Sequence, residues 1–136
     1  MDDQPPRLVP LPREGLPAWA EPLLDPHAFW SGRVWYDAVL AHALPEGADA
    51  GAALCTAGVA VPLLHQAGQL RSLTTPYTQD WRPLASTGLD AAGWTAAGRG
   101  FAALLRRRPP VLLEAIDPAG AWLAPFLAGL RSPGIL

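Results

Sequence analysis

Lysine is absent from this chain, and cysteine and methionine each occur once among its 136 residues. A lone cysteine excludes a disulfide within the chain, and Cys55 lies in an apolar run, so we expect a buried thiol in a reducing compartment. The longest apolar stretch, residues 52–64, is shorter than the ~20 residues of a membrane span and contains Pro62. The N-terminal residues MDDQPP are acidic and proline-rich, whereas a secretory signal is basic and then apolar. The sequence therefore predicts a cytoplasmic protein with no membrane span.

A strong excess of charge of either sign is also absent. Ten arginines face twelve acidic residues, which gives a net charge of −2. A nucleic-acid partner needs a basic face that follows the phosphates, so we do not expect nucleic acid to bind. Hydrophobic residues make up 50% of the chain and six residues are tryptophan, which is enough for one packed core. We predict a single domain, because a chain of this size buries about 65–70% of the surface that it exposes when unfolded.

The density of proline separates the start of the chain from the rest. Residues 1–25 are predicted to be an extended proline-rich arm that forms neither helix nor strand ladder and is held in place by Trp19. Residues 26–136 are predicted to form the domain. A helical stripe within residues 26–44, widened almost all round by Phe29, Trp35, Tyr36 and Leu40, predicts a well-buried helix that ends before Gly47. The stripe consists of Trp30, Val34, Ala38 and Ala41.

Three short β-like runs follow, and the gaps between them are of hairpin size. They predict a three-strand antiparallel meander. Pro62 lies inside the second run and has no backbone donor, which predicts an edge position or a bulge at that point. The runs are residues 52–56, 59–65 and 70–75.

The second half of the chain returns to helical spacing. Apolar residues from Trp94 to Leu104 predict a second helix, and its glycines, Gly98 among them, imply tight packing or a close backbone approach. Residues 111–116 predict a strand covered on both faces, and Asp117 is predicted to cap a third helix over about residues 119–130. The predicted fold class is therefore α/β: helix, three-strand antiparallel meander, helix, strand and helix, in one sandwich lobe.

The last residues have a pattern that implies a continuation. Ser132-Pro133-Gly134 predicts a turn, and Ile135-Leu136 resembles the start of another strand. We therefore expect the domain at residues 26–136 to be truncated at its C-terminus.

Motifs for common catalytic and cofactor sites are missing. His27, His42 and His65 lack the spacing of metal ligands, so no metal site is expected. No serine lies in a GxSxG elbow, and the glycines form neither a P-loop nor a dinucleotide fingerprint. The arginine run at residues 106–108 is typical of a solvated helix end, although it also suits a phosphate or an acidic partner.

The polar segment 74–83 is the best candidate site. It follows a strand end in an α/β sheet, where ligands tend to bind, and it combines hydroxyl groups with Tyr77, Asp80 and Arg82. Tyr77 suits a ligand contact, and Asp80 and Arg82 suit orienting groups. The competing interpretation, which we favour for the segment as a whole, is a rigid turn fixed by Pro76 and two buried rings.

Four stretches of the chain resemble the N-terminal half of bacterial GNAT-type N-acetyltransferases of the FemAB/CelD-like group. The resemblance covers about residues 26–136. It rests on FWSGRVWY at residues 29–36, VPLL at 61–64, LRSLTTPYT at 70–78 and VLLEAID at 111–117.

The resemblance implies two tandem acyltransferase-like lobes that use acetyl-CoA or another acyl-CoA as donor and a small-molecule or peptide amine as acceptor. In single-lobe relatives, a glycine-rich loop after the strand that precedes the long helix binds the CoA pyrophosphate through backbone N–H groups. Here that strand leads into Pro76 and Tyr77, with no glycine before Gly88. The resemblance therefore implies that this chain binds no cofactor itself and that the donor site belongs to a second, covalently continuous lobe.

The leading hypothesis is an N-terminal lobe of an N-acyltransferase that is not catalytically complete alone. Tyr77, Asp80 and Arg82 would contact the acceptor, and no catalytic residue is assigned. A second hypothesis is a non-catalytic binding or assembly module that uses an exposed sheet edge. A third is a truncated reading frame without an independent role.

Overall fold

The computed structural model describes residues 4–106, 108 and 110–131. The helices are α1 (Arg33–Ala38), α2 (Ala91–Leu105) and α3 (Leu123–Leu130). The strands are β1 (Arg7–Pro10), β2 (Asp49–Thr56), β3 (Val59–Gln66), β4 (Gln69–Ser72), β5 (Leu84–Ala85) and β6 (Val111–Leu112). Two 3-10 helices, Ala18–Leu23 and Phe29–Ser31, precede α1, and a π-helical turn, Val39–Ala43, follows it.

One mixed sheet organises the chain, in the order β1-β2-β3-β4-β6, with β5 also paired to β3. The pairs are antiparallel except β4 with β6, which is parallel. The α/β class and the antiparallel meander are confirmed. At the tip between β3 and β4, Ala67 and Gly68 have φ of 53° and 77°, as the two central residues of a tight hairpin turn require.

Pro62 lies in β3, the central strand, so the prediction of an edge position or a bulge at this residue is wrong. On one side β3 pairs with β4 through residues 63–66 and with β5 through residues 59–60, and Pro62 lies between the two ladders. Its carbonyl accepts a bond from Leu73 N at 3.0 Å. Because the N and C=O of one strand residue point to the same side, the missing donor faces Leu73, beyond the end of the β3–β4 ladder, and no bond within either ladder is lost.

The N-terminal segment is built into the fold, which corrects the prediction that its prolines prevent a ladder. β1 pairs with β2 from Arg7 opposite Leu54 to Pro10 opposite Gly51. Pro10 is the last residue of an outer strand, a position that proline tolerates. Ala20 and Leu23 of the first 3-10 helix are buried.

The two faces of the sheet carry different layers. The N-terminal segment and α1 cover one face, and α2 and α3 cover the other. Glycines bring the second layer close: a Cβ at Gly98 of α2 would overlap the Phe126 carbonyl of α3, and a Cβ at Gly100 would overlap the Cys55 carbonyl of β2. The close approach predicted for these glycines is confirmed.

The first predicted helix is correct in place and in the burial of Tyr36 and Leu40, but its central stripe is wrong. Tyr36, Val39 and Leu40 are buried, whereas Val34 is 75% exposed. The predicted stripe fails because the segment 29–43 changes from 3-10 to α to π geometry, so a constant period does not follow its surface.

The last two elements are shorter than predicted. β6 ends at Leu112, which is 50% exposed, because the next backbone groups bond elsewhere: Glu114 N donates to Ser72 Oγ at 2.8 Å. Asp117 accepts a bond from Ala119 N at 2.9 Å and caps a turn, so α3 begins at Leu123 and not near residue 119.

Some predictions fall on residues that the structure does not describe. These are the turn and strand start at residues 132–136 and the middle arginine of the run at 106–108. Within the described ranges, no helix has the length and apolarity needed to cross a membrane.

Candidate functional site

A cleft of about 660 Å³ opens where the two layers meet beside β5. Three parts of the chain line it: one wall within residues 25–31, a part that we call the floor, from the segment 80–89 and Asp117, and a part that we call the aromatic wall, from Trp94 of α2 and residues 120–122 just before α3. The volume is within the range of ordinary small-molecule sites, ~300–1,000 Å³. The polar segment singled out in the sequence therefore contributes to a concave surface.

Arg82 holds the polar wall together. Its Nη2 lies 3.3 Å from Asp25 Oδ2, and its Nε donates to Ser31 Oγ at 3.1 Å. Asp25 is itself oriented, because its Oδ1 accepts a bond from His27 N at 2.9 Å. Ser31 is buried at the end of the second 3-10 helix. Arg82 thus orients Asp25 and Ser31 of the same chain, and its predicted role toward an acceptor stays a prediction.

Asp80 and Asp117 also line the cleft. Within the part of the chain that the structure describes, neither carboxylate lies within ion-pair distance of an arginine or histidine. Asp25 and Arg82 neutralise each other, and His27 is the remaining titratable lining residue. With His27 uncharged, the fixed charges of the lining sum to about −2.

The aromatic wall contains two adjacent tryptophan rings. Trp94 of α2 and Trp122, just before α3, lie with ring centroids 5.7 Å apart and an interplanar angle of 44°. Trp122 is 6% exposed and is fixed from behind by Phe126, 5.7 Å away, and by Trp81, 6.3 Å away. The cleft therefore combines a negatively charged floor with a rigid apolar wall.

Two buried aromatic residues near the cleft were not singled out in the sequence as site residues. Tyr36 is 1% exposed; burial raises the pKa of its phenol above the usual range, the Arg82 guanidinium lowers it, and Asp80 raises it further. Trp81 is 1% exposed, and its indole Nε1 is buried without a hydrogen-bond partner among the residues that the structure describes. The sequence shows that both residues are aromatic. The proximity of Tyr36 to Arg82 and of Trp81 to Trp122 depends on the tertiary fold.

Tyr77 is placed outside the cleft. It is 79% exposed on a turn that the loop's own hydroxyl groups close. Thr75 N donates to Thr78 Oγ1 at 2.9 Å, and Tyr77 N donates to Thr75 Oγ1 at 3.1 Å. The structure thus brings together two of the three predicted contact residues, Asp80 and Arg82, and leaves the third on the surface.

The other groups that commonly carry chemistry are dispersed. In residues 4–106, 108 and 110–131 no cluster of three His, Cys, Asp or Glu side chains suits a metal ion. His27 lies at the cleft, whereas His42 and His65 lie in the π turn and near the end of β3. Burial raises the pKa of the Cys55 thiol to about 12, so the thiolate needed for nucleophilic chemistry is not formed near neutral pH.

Comparison with known proteins finds no match for this chain among protein-family models, curated proteins or solved structures.

Proposed function

We propose that this chain is the N-terminal lobe of a two-lobe, acyl-CoA-dependent N-acyltransferase, and that the cleft beside β5 receives the amine acceptor. The order of helix, antiparallel meander, helix, strand and helix around one mixed sheet supports the lobe architecture. The sequence resemblance supports the reaction class. Cytoplasmic location is part of the proposal, and the free, buried Cys55 is consistent with it.

The charge of the cleft is the observation that carries the proposal. Asp80 and Asp117 line it without a cationic partner among the described residues, so the site favours a cation. An amine acceptor is predominantly an ammonium ion near neutral pH. Carboxylates can bind it as hydrogen-bond acceptors until it loses a proton to solvent. Its nitrogen then forms the amide bond to the thioester carbonyl carbon while the C–S bond breaks, and CoA leaves as the thiol with the second proton lost by the nitrogen.

The loop at residues 74–78 supports the placement of the donor in a second lobe. Its amides at Thr75, Tyr77 and Thr78 are bonded within the loop, to Thr78 Oγ1, Thr75 Oγ1 and the Thr75 carbonyl. A pyrophosphate cradle needs backbone N–H groups that are free to point at the ligand. The acyl-CoA pyrophosphate would therefore bind to residues beyond this chain.

The test is acyl transfer by the natural gene product that includes this chain and whatever follows Leu136 in the reading frame. CoA thiol released from acetyl-CoA is titrated, and the acylated amine is quantified by mass. We expect equal amounts of both products, a loss of at least tenfold in kcat/KM in Asp80→Asn, and no change in Glu46→Gln, which removes an exposed carboxylate elsewhere. A reading frame without a second lobe, or thiol release without acylated amine, would contradict the proposal.

A second candidate function is assembly through the sheet edge at β6. β6 pairs with β4, no other partner strand is present among the described residues, and Leu112 is half exposed. Sedimentation of the chain and of Leu112→Arg separates the two functions. A concentration-dependent dimer that the substitution abolishes favours assembly. A monomer in both cases excludes assembly through β6 and leaves the acyltransferase lobe as the candidate function.

A further inference from the structure

We infer that the cleft selects an amine that carries a flat apolar group and no carboxylate, such as an arylalkylamine. This inference rests on the proposed acceptor function and specifies the class of acceptor. The two walls of the cleft provide the argument, because each one recognises a different part of such a molecule.

The ammonium end is recognised by the floor of the cleft. Asp80 belongs to the segment that enters β5, and the backbone bond from Trp81 N to the Ala115 carbonyl, 2.8 Å long, holds this segment beside the residues that lead to Asp117. One oxygen of Asp117 is occupied by Ala119 N, so its other oxygen and the Asp80 carboxylate are available as acceptors. Asp80 is half-buried and Asp117 is exposed, so the partly desolvated Asp80 carboxylate provides most of the preference for an ammonium group over a neutral hydroxyl of the same shape.

The apolar end is recognised by the aromatic wall. Trp94 is partly exposed and offers an apolar surface, and Trp122, which is 6% exposed, supports it from beside at an interplanar angle of 44°. Phe101 packs on Phe126 at 5.7 Å, and Phe126 in turn packs on Trp122, which keeps this surface in place. A flat ring buries more apolar area against such a wall than a short alkyl chain does, and ring stacking adds to its affinity.

A carboxylate on the ligand is disfavoured. Among the described residues, Arg82 is the arginine that lines the cleft, and it already uses Nε and Nη2 for Ser31 and Asp25. Asp80 and Asp117 repel a second negative charge. An aromatic amino acid should therefore bind more weakly than the amine formed by removal of its carboxyl group.

Isothermal titration of the chain with four small probes tests the inference. The probes are 2-phenylethylamine, its neutral analogue 2-phenylethanol, butylamine and L-phenylalanine. We expect 2-phenylethylamine to bind with a Kd at least tenfold lower than that of each of the other three.

Two variants with matched controls assign the binding to the cleft. Asp80→Asn should raise the Kd for 2-phenylethylamine at least tenfold, and Trp94→Ala should raise it about tenfold. Glu46→Gln and Tyr77→Ala, which alter exposed groups outside the cleft, should leave the Kd unchanged. Thermal melts of all variants identify any that fail to fold, and for Trp94→Ala the milder Trp94→Leu keeps the comparison possible.

Equal affinity for 2-phenylethylamine and 2-phenylethanol, tighter binding of L-phenylalanine, or insensitivity to Asp80→Asn would overturn the inference. Its failure is distinct from failure of the acyltransferase proposal. Acylation of butylamine without a preference for 2-phenylethylamine would refute the acceptor class and leave the reaction. Selective binding of 2-phenylethylamine without acyl transfer would support the proposed amine site and refute the acyltransferase proposal.

Discussion

Arg82 and Asp25 meet at the mouth of the cleft, with Nη2 and Oδ2 3.3 Å apart, although 57 residues separate them along the chain. The contact joins the segment that follows the N-terminal 3-10 helix to the segment that leads into β5. It also engages Nε and Nη2 of Arg82, the arginine that lines the cleft among the described residues, with partners of the same chain.

The first prediction concerns this pair. Its side chains are 36% and 44% exposed, so a double-mutant cycle with Arg82→Ala and Asp25→Asn should give a coupling of about 0.2–1 kcal/mol in the free energy of unfolding. Arg82→Ala also adds net negative charge to the cleft, so it should bind 2-phenylethylamine more tightly. Urea denaturation measures the coupling energy between Arg82 and Asp25, and calorimetry measures the affinity for 2-phenylethylamine. Weaker amine binding in a folded Arg82→Ala protein would be inconsistent with a cation site.

The second prediction concerns Trp81, whose ring is buried and whose indole N–H lacks a partner. Trp81→Ala should destabilise the protein by about 3–5 kcal/mol because it leaves a large cavity. Trp81→Phe should cost about 1.5 kcal/mol or less, since it keeps most of the ring and removes the unsatisfied donor. Chemical denaturation measures both, with the exposed Tyr77→Ala as a control within about 0.5 kcal/mol of the parent. A larger loss for Trp81→Phe would indicate that the indole N–H has a partner.

The third prediction concerns the crossing of α2 and α3. Alanine at Gly98 or Gly129 places a Cβ against the backbone of the other helix, at the Phe126 and Thr95 carbonyls respectively. Each substitution should cost about 1–3 kcal/mol, despite the gain of about 1 kcal/mol in helix propensity.

Gly93→Ala is the matched control for that prediction. The three atoms nearest to a Cβ at position 93 belong to the side chains of Leu89 and Asp90, which precede it in the chain. The two nearest belong to the flexible Leu89 side chain, which can move. Thermal melts of the three variants should rank Gly93→Ala above Gly98→Ala and Gly129→Ala. The opposite order would mean that the helices are further apart than the structure shows.

The sequence predicted the elements whose signals are local. The meander was readable because Gly58 and Gly68 mark its two turns, and α2 was readable from the spacing of Trp94, Ala97 and Phe101. β5 was missed because two residues, Leu84 and Ala85, give no periodic signal; they form a strand only where Pro62 opens a gap beside β3.

The candidate site was predicted in part for the same reason. Asp80 and Arg82 share one polar segment, so they were found together. Asp25, Ser31 and Trp122 reach the cleft from distant parts of the chain, and no short-range pattern connects them. Tyr77 was chosen for its chemistry, but the bond from Thr75 N to Thr78 Oγ1 turns the loop outward and leaves the ring exposed.

The fourth prediction concerns alkaline pH. Burial keeps the Cys55 thiol neutral and raises its pKa to about 12, whereas an unfolded cysteine titrates near 8.5. The unfolded chain therefore binds fewer protons than the folded protein between these values. The contribution of the neutral Cys55 thiol to the free energy of unfolding is fully present below about pH 8.5. It is lost as pH rises toward 12, at up to ~1.4 kcal/mol per pH unit.

Cys55→Ala should delay the start of that decline. The buried Tyr36 phenol also has a raised pKa, so in the variant the loss should begin near the ordinary tyrosine value, about pH 10. Urea midpoints between pH 7 and 11 measure the effect. A parallel decline in the variant and the parent would show that Cys55 does not contribute.

The central claim is that the cleft binds an amine while acyl-CoA binds elsewhere, and the six indole N–H signals of the chain test it directly. Each signal is assigned by a single Trp→Phe substitution, and ¹H–¹⁵N spectra are recorded with 2-phenylethylamine and, separately, with acetyl-CoA. We predict that the amine shifts the signals of Trp94 and Trp122 and not those of Trp30 and Trp35, and that acetyl-CoA shifts none. Shifts of Trp94 and Trp122 by acetyl-CoA, with none caused by the amine, would contradict the account.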